Sequence, residues 1–314
     1  MRTSAAQSFR DLPVLGVAVV WGSSFLVVKQ VAEPDSVVAM LVLRFGLVLP
    51  LLALFTWRAL AKLTVREWLG GAALGVVLGA IFLLETYGAV HTSATNAGLI
   101  ISLTMVLTPL AESALSRTAL PRAFVAAAGL SVLGVALLTG GGGFRAPSLG
   151  DLLVLGAAVV RTVNVLTVSR LRVIRDTDSS ALTWVQLATA TLVFALVAPF
   201  VGPSPLTLAA SYSAADWALL LHLSLLCTLF AFLVQTWAVR ATSPSRVSLL
   251  LGTEPLWAAV FGITLAGDHL GAPALAGALL VLVGTEWGRR TAAPAPAPAA
   301  PLTEDQREPA LARR

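Results

Sequence analysis

Apolar runs of about 20 residues follow one another through most of this chain, separated by short polar gaps. A run of this length crosses the hydrocarbon core of a bilayer as an α-helix. The chain is 57% hydrophobic and only 12% charged, with a mean hydropathy of +0.86. A soluble domain does not need so much apolar sequence, so we predict ten membrane spans. These are Leu12–Val31, Ser36–Thr56, Glu67–Glu85, Thr92–Leu115, Pro121–Thr139, Leu149–Val168, Ser180–Phe200, Ala214–Thr236, Ser243–Leu265 and Gly271–Trp287.

The distribution of basic residues gives the orientation of these spans. All but four of the 21 lysines and arginines fall in the loops and termini of one side. The exceptions are Lys29 and Arg145 on the other side, and Arg44 and Arg161 inside spans. This bias predicts that both termini are cytoplasmic. The high isoelectric point of about 10.3 then reflects membrane topology, and we expect no nucleic-acid partner.

The second half of the chain repeats the first. Leu15–Gln30 aligns with Leu155–Arg170 at a shift of 140, and Phe82–Tyr87 aligns with Phe232–Trp237 at a shift of 150. Two shorter matches follow in the same order: Thr108–Leu110 with Glu254–Leu256 at a shift of 146, and Gly134 with Gly284. Chance similarity between apolar helices explains single matches well, but it explains four ordered matches poorly.

The repeating unit contains five spans, and five is an odd number. The two copies must therefore cross the membrane in opposite senses, as in transporters built from inverted repeats. We predict an all-α integral membrane protein with ten transmembrane helices, arranged as two inverted five-helix repeats around a central cavity. We assign 1–11 to a cytoplasmic N-terminus, 12–140 and 141–290 to the two repeats, and 291–314 to a disordered cytoplasmic tail rich in Pro and Ala.

Several motifs resemble the EamA family of the drug/metabolite transporter superfamily, over about Leu12 to Trp287. They are Trp21–Phe25, Leu43–Phe45, Thr92–Pro109, Gly150–Val159 and Leu251–Gly262. The resemblance implies a ten-helix bundle with a central cavity, and export or sometimes uptake of small metabolites or drugs by alternating access. It names no substrate. The chain departs from the family pattern at Arg161, where Trp is frequent, and at Gly267-Asp268, where Gly-Glu is frequent.

Arg161 is the most informative charge within a span, because an ionisable group in hydrocarbon is costly and needs a partner. One interpretation is a clamp for an anionic or zwitterionic substrate. The other is a structural ion pair with Glu254 or Glu112. Asn164 lies on the same helix face and adds a hydrogen-bonding group to either arrangement.

Glu254 lies near the centre of span nine and is the best candidate for a proton-linked carboxylate. The alternative is a packing role as a partner of Arg161 or Arg44. For Arg44 itself, in span two, we favour structural pairing over contact with a ligand.

Three further residues are candidates for the cavity wall. Glu85 and its repeat counterpart Gln235 bracket the expected substrate path, although Glu85 also fits a place at the membrane interface. Trp21 occupies the repeat position of Arg161 and would face it across the pseudo-twofold axis.

Pro109 and Pro255 lie inside spans four and nine at matching positions in the 146-residue register. Each removes a backbone donor, so we predict a pair of helix kinks. The only cysteine, Cys227, reads as a small apolar core residue. Metal-site, nucleotide-binding and hydrolase motifs are missing from the sequence, so we expect no metal, no cofactor and no ATP-driven step by this chain alone.

We therefore expect a secondary transporter that moves a small organic solute, an amino acid or related metabolite, by alternating access. Arginine far outnumbers lysine and alanine is abundant, which is typical of a GC-rich bacterial gene, so we place the protein in a bacterial inner membrane. We expect export, as the resemblance to the EamA family implies. The main alternative is a proton-linked exporter of lipophilic cations. A membrane-embedded enzyme or scaffold is a third hypothesis, disfavoured by short loops. The expected partners are the solute, the bilayer and, in proton-linked transport, protons; the oligomeric state stays open.

Overall fold

The computed structural model describes residues 3–117, 119–139, 147–175, 177–241, 247 and 250–291. Throughout these ranges the regular elements are helices. They are α1 (Thr3–Val31), α2 (Val37–Leu60), α3 (Val65–His91), α4 (Ala94–Ile101), α5 (Thr104–Ser116), α6 (Arg122–Thr139), α7 (Leu149–Arg170), α8 (Arg172–Arg175), α9 (Ser179–Val197), a 3-10 turn (Ala198–Phe200), α10 (Pro205–Ser211), α11 (Ala214–Leu221), π1 (His222–Phe230), α12 (Ala231–Ala241), α13 (Glu254–Thr264) and α14 (Ala272–Thr291).

Eight helical segments in this part of the chain are long and apolar enough to cross a membrane, and Ala272–Gly288 is a shorter apolar segment. The first helix begins at Thr3, so much of the predicted N-terminal segment 1–11 continues the helix of the first span. The third helix runs to His91, six residues beyond the predicted end at Glu85. The predicted tail lies outside the described residues, except for Thr291.

Two membrane segments are interrupted at equivalent places. A turn at Ser102 and Leu103 separates α4 from α5, and a turn at Gly252 and Thr253 precedes α13. The two turns are 150 residues apart, the same shift that relates Phe82–Tyr87 to Phe232–Trp237. The 146-residue register predicted from Thr108–Leu110 therefore differs from that of the turns by about one helical turn.

The interruptions do not coincide with the two prolines. Pro109 is the sixth residue of α5, which continues through it, and Pro255 is the second residue of α13. A proline in the first turn of a helix costs little, because its missing N–H would lack an intrahelical partner there. The two turns precede both prolines, and the predicted pair of kinks at Pro109 and Pro255 stays a prediction.

A third irregularity lies between α11 and α12. His222–Phe230 forms a π-helix of nine residues. Such helices are rare in proteins, and those that occur are often at functional sites. The wider turn changes the hydrogen bonds on its inner side: the Thr228 hydroxyl donates to the Leu223 carbonyl at 2.9 Å. The Cys227 carbonyl accepts a hydrogen bond at 2.8 Å from Nε1 of Trp21 on α1.

The contact between α6 and α14 is reciprocal. A Cβ atom on Gly134 would lie 2.6 Å from the backbone nitrogen of Val281, and one on Gly284 would lie 2.7 Å from that of Ser131. Since Val281 and Gly284 are the 150-residue counterparts of Ser131 and Gly134, each contact is the image of the other.

A second reciprocal contact joins the first helix of each half to the third helix of the other. Gly88 of α3 packs against Val154 of α7. Their counterparts, Ala238 of α12 and Val14 of α1, belong to one buried cluster. The same packing thus occurs twice, once near the start of α7 and once near the start of α1's membrane span.

The far end of α1 is anchored to two loops. Lys29 Nζ donates to the Thr92 carbonyl after α3, and the Tyr212 hydroxyl donates to the Val31 carbonyl at 2.5 Å. Burial, with a smaller contribution from Asp216, raises the pKa of Tyr212 to about 12, so this hydroxyl remains a donor throughout the physiological pH range. These bonds fix the helix that carries Trp21.

Large apolar side chains cover much of the exterior. Leu54, Phe55, Leu69 and Leu196 are each more than 60% exposed, whereas Phe45, Phe194 and Leu187 are buried in the largest core cluster. An apolar outer belt around a packed core is the arrangement expected of helices that face lipid.

We expect Gly134→Ala to lower the free energy of unfolding by about 1–3 kcal/mol, because its Cβ would collide with the backbone of α14. Gly129→Ala on the same helix is the matched control. No atom lies within 4 Å of its Cβ position, so this variant should be as stable as the parent or more stable. Titration of the purified protein with a denaturing detergent measures both, and equal stability of the two variants would contradict the close α6–α14 contact.

Candidate functional site

A cavity of about 350 Å³ lies between the two halves of the helix bundle. Its walls come from α1, from the α4–α5 turn, from α7 and α12, and from the turn before α13. Its described lining residues are Trp21, Gly98, Ile101, Ser102, Thr104, Met105, Arg161, Gln235, Val247, Leu251, Gly252, Glu254 and Pro255. A cavity of this size is at the lower end of the range for small-molecule sites, which suits a solute of roughly a dozen non-hydrogen atoms.

The structure brings four of the six predicted cavity residues together. Trp21, Arg161, Gln235 and Glu254 all line the cavity, although they come from four different helices. Glu85 is not among the described lining residues, but it contacts one of them, Arg161.

Arg161 forms an ion pair with Glu85 through its Nη2 atom. The Arg161 side chain is one-third exposed (33%) and the Glu85 side chain is 16% exposed. The pair therefore lies at the edge of the cavity and leaves part of the guanidinium facing it. Neither Glu254 nor Glu112, the two partners considered from the sequence, is the ion-pair partner of Arg161, and Glu112 is exposed on α5. A guanidinium has five N–H donors, so Arg161 retains donors for a second acceptor.

Glu254 is the first residue of α13, where the helix dipole favours a carboxylate. It lines the cavity, and within the described ranges its carboxylate has neither an ion pair nor a hydrogen bond. The cavity therefore carries one carboxylate without a protein cation bound to it, beside an arginine whose charge is balanced by Glu85.

Asn164 is three residues beyond Arg161 on α7. Its side-chain oxygen is buried and has no hydrogen-bond partner within the described ranges. It is not one of the described lining residues of the cavity. The structure therefore leaves its predicted contact with substrate as a prediction.

Sequence reasoning missed Ser102 and Thr104, which line the cavity at the α4–α5 turn. Their hydroxyls donate to backbone carbonyls in the last turn of α4, Ser102 to Leu99 at 2.6 Å and Thr104 to Ile101 at 2.8 Å. In the 150-residue register they are the counterparts of Gly252 and Glu254. That register, already visible in Phe82–Tyr87, was the signal that could have found them.

A polar group lies behind Trp21, between α1 and π1. The Ser23 hydroxyl and His222 Nε2 are hydrogen-bonded at 2.8 Å, and Ser23 also donates to the Val20 carbonyl. Cys227 is buried and its thiol contacts the same Val20 carbonyl at 3.3 Å. These contacts hold the α1 segment against the π-helix and fix the direction of the Trp21 ring.

Arg44 is buried on α2, and its recorded partners are not carboxylates. Its Nε donates to the Thr228 hydroxyl at 3.4 Å, and its guanidinium carbon is 5.3 Å and 5.5 Å from the ring centres of Phe45 and Phe82. The pairing expected for Arg44 is therefore with two aromatic rings and a hydroxyl, which hold α2 against α3 and π1.

Asp268, where the chain departs from the family pattern, stabilises the start of α4. Its carboxylate accepts a hydrogen bond from the backbone nitrogen of Thr95 at 2.8 Å. Gly262 of α13 approaches the same point, since a Cβ there would meet Thr95 and Asp268. The contact joins the two interrupted segments near one end of the cavity.

Groups of three or more His, Cys, Asp or Glu side chains able to hold a metal ion do not occur within the described ranges. The cavity chemistry rests on one ion pair, one carboxylate, an indole, an amide and two hydroxyls.

Comparison with known proteins decides the family. The sequence model of the EamA-like transporter family matches residues 9–140 and 148–286. The chain belongs to the EamA-like transporter family. Two curated relatives from Archaeoglobus fulgidus, each described as an uncharacterized transporter, are similar to this EamA-like protein. One is 26% identical over 279 residues, covering 88% of this chain and 84% of the relative. The other is 29% identical over 255 residues, covering 77% and 84%.

A crystal structure of a further protein shares the fold of this family member. It has a TM-score of 0.61 at 18% identity, and the match covers 91% of this chain and 98% of the other. At this identity the likeness concerns the fold alone. Together with the family match and the apolar helices, it establishes a multi-pass helical membrane protein of a transporter family.

We expect Arg44→Lys to lower the free energy of unfolding by about 1–2 kcal/mol, because an ammonium cannot stack its charge over two rings as a planar guanidinium does. Arg58→Lys is the control, since Arg58 lies over the exposed ring of Trp57 on the same helix. It should change stability by less than about 0.5 kcal/mol. An equal effect of the two substitutions on unfolding by denaturing detergent would contradict the structural role of Arg44.

Proposed function

We propose that this EamA-like protein is a secondary transporter that moves a small amino acid or related metabolite across the bacterial inner membrane by alternating access. In this proposal ten spans form two inverted five-helix repeats, both termini are cytoplasmic, and transport is outward. The single observation that carries the proposal is the cavity, which takes wall residues from equivalent positions of the two halves.

The reciprocal contacts support the inverted repeat. An axis of twofold symmetry makes each contact between residues i and j appear again between their images. The contacts of Gly134 with Val281 and of Gly284 with Ser131 follow this rule. The family model also matches two successive segments of similar length, and these correspond closely to the predicted repeats 12–140 and 141–290.

The number of spans has similar support. Eight described segments are long enough to cross the membrane, and α14 supplies a shorter ninth. The tenth would be the segment that includes Leu251 and α13, interrupted at Gly252 and Thr253 as the α4–α5 segment is at Ser102 and Leu103. An interruption inside a membrane is tolerated where the freed backbone lines a polar cavity. Both turns line this one.

The charges of the cavity favour a zwitterion. Arg161 offers donors to a carboxylate, and Glu254 offers an acceptor to an ammonium group. Trp21 supplies an aromatic wall beside them. An α-amino acid presents both charges on one carbon and fits the cavity volume. The presence of a cavity with charged and polar side chains in its wall also disfavours a scaffold with a fully packed centre.

A transport assay tests the proposal. Proteoliposomes loaded with labelled amino acids should release at least one of them faster than protein-free liposomes do. Arg161→Ala should slow that release by about tenfold or more, because it removes charge-assisted hydrogen bonds to the solute.

Arg58→Ala is the control, an exposed arginine on α2 that should leave the rate unchanged. If every transported amino acid left parent and Arg161→Ala liposomes at equal rates, Arg161 would have no place in the site. Release no faster than from protein-free liposomes, for the whole set, would count against the proposed substrate class.

A second candidate function is proton-linked export of lipophilic cations. The observation that favours it is the unpaired Glu254 carboxylate in a cavity whose arginine is already neutralised by Glu85. In this case Glu254→Gln should abolish resistance of cells to cationic dyes while Arg161→Ala leaves it intact. Loss of resistance in Arg161→Ala, with retention in Glu254→Gln, would exclude this candidate.

A further inference from the structure

The ion pair of the cavity exists in only one of the two halves. Glu85 corresponds to Gln235 at a shift of 150, and Arg161 corresponds to Trp21 at a shift of 140. The sequence thus places a carboxylate and a guanidinium on α3 and α7, and an amide and an indole at the equivalent positions of α12 and α1. Glu85 and Arg161 can therefore form an ion pair, whereas Gln235 and Trp21 at the equivalent positions cannot.

The two pairs also differ in geometry. Glu85 and Arg161 are in direct contact. Gln235 faces the cavity and, within the described ranges, its side chain has no hydrogen bond, while Trp21 is bonded to the Cys227 carbonyl on π1. Glu85 and Arg161 thus join α3 to α7, whereas Gln235 and Trp21 form no such bond between α12 and α1.

These two pairs lie toward opposite ends of the bundle. Val14 of α1 packs in one cluster with Ala238 near the end of α12, whereas Lys29 of α1 bonds to Thr92 just after α3. Fifteen residues of helix separate Val14 from Lys29, a distance of about 22 Å. We name the end where α3 stops the His91 face, and the end where α12 stops the Ala241 face.

The cavity extends toward the Ala241 face. Gln235 is a described lining residue of the cavity, whereas its counterpart Glu85 is not. Val247 is also a described lining residue, whereas its counterpart Ala97 is not. On the other side, Asp151 at the start of α7 accepts hydrogen bonds from Thr92 at 2.6 Å and from Asn96 at 3.1 Å. These bonds join the start of α7 to the residues that follow α3 at the His91 face, and Glu85 lies seven residues before Thr92, about two helical turns deeper in the bundle.

We propose that the Glu85–Arg161 ion pair is the gate of the His91 face, formed when the cavity opens toward the Ala241 face and broken in the opposite state. This inference rests on the proposed alternating access. In an inverted repeat, the opposite state arises when the two halves exchange conformations. Glu85 and Arg161 then take the separated arrangement that Gln235 and Trp21 have in this structure.

The charge asymmetry sets the balance between the two states. Separation of Glu85 from Arg161 costs the attraction of a partly buried pair, whereas separation of Gln235 from Trp21 costs no ion pair. The closed His91 face is therefore favoured until a carboxylate of the solute takes the place of Glu85 on Arg161. Glu85 and Arg161 act as positioning residues for this step, in addition to any direct contact of Arg161 with the solute.

Cysteine labelling tests the gate independently of transport. The only cysteine is replaced by Cys227→Ala, and Ser102→Cys then places a single thiol on the cavity wall. A membrane-impermeant maleimide is applied to the His91 face of oriented vesicles, without solute. We expect Glu85→Gln to speed labelling by about fivefold or more relative to the Glu85 parent, because it shifts the balance toward the state open at this face.

Three further variants complete the design. The exchange Glu85→Arg with Arg161→Glu should return labelling to the slow parental rate, because it restores an ion pair of reversed polarity. Glu67→Gln removes a partly exposed carboxylate from the first turn of the same helix, 18 residues before Glu85, and should leave the rate unchanged. Trp21→Arg with Gln235→Glu places a second pair in the other half and should slow labelling from the Ala241 face. All rates are normalised to labelling after denaturation, so that loss of folded protein does not imitate a change in gating.

Labelling of Glu85→Gln at the parental rate would overturn the gate, and so would failure of the charge exchange to restore slow labelling. The two proposals fail in different ways. A parent protein that moves no solute, yet shows the labelling changes above, would contradict the proposed substrate and leave the gate supported. A protein that transports amino acids while Glu85→Gln labels slowly would contradict the gate alone.

Discussion

Hydrocarbon offers no hydrogen-bond partner to a peptide group, and the arrangement of this protein depends on that constraint. It requires helices throughout the membrane and permits an interruption only beside protein or water. In the part of the chain that the structure describes, such interruptions occur at Ser102–Leu103 and at Gly252–Thr253, and residues of both line the same cavity. The place where the backbone departs from helix is therefore also the place where a polar solute can be held.

The electrostatics of the cavity depend on pairs of positions that the sequence repeat makes equivalent. The residues at these positions differ chemically, since Arg161 corresponds to Trp21 and Glu85 corresponds to Gln235. In this structure Glu85 neutralises Arg161, and within the described residues the carboxylate of Glu254 has no ion-pair partner. In the proposed inverted repeat, two states of similar packing would therefore differ in energy and in affinity for a solute.

Much of the fold could be predicted from sequence, because it follows from the length of the apolar runs and the alternation of charge. The start of α2 and the ends of α1 and α6 agree with the predicted spans to within a residue. The register of the second repeat was harder. Thr108–Leu110 and Glu254–Leu256 match in sequence at a shift of 146. The turns that precede them are instead related by a shift of 150. The two shifts are hard to tell apart in sequence, because a helix displaced by about one turn presents nearly the same face.

The candidate site was predicted in part. Arg161 and Glu254 were candidates because ionisable groups within a membrane span are costly and rare. Trp21 and Gln235 were candidates because they are the repeat counterparts of Arg161 and Glu85, and all four residues line one cavity in the structure. The partner of Arg161 did not follow. Glu85 was placed at the end of its span, but α3 continues to His91 and carries Glu85 inside the bundle. Which carboxylate meets an arginine depends on the rotation of α3 against α7, and local sequence does not encode that angle.

The central claim, that the two halves cross the membrane in opposite senses, is tested most directly by the sidedness of equivalent loops. Lys62→Cys, after α2, and Ser211→Cys, after its counterpart α9, are made separately in the Cys227→Ala protein and labelled in intact cells with an impermeant maleimide. An inverted repeat requires that the thiol at 211 is labelled from outside and that the thiol at 62 is labelled only after the cells are opened. Labelling of both thiols from the same side would contradict it.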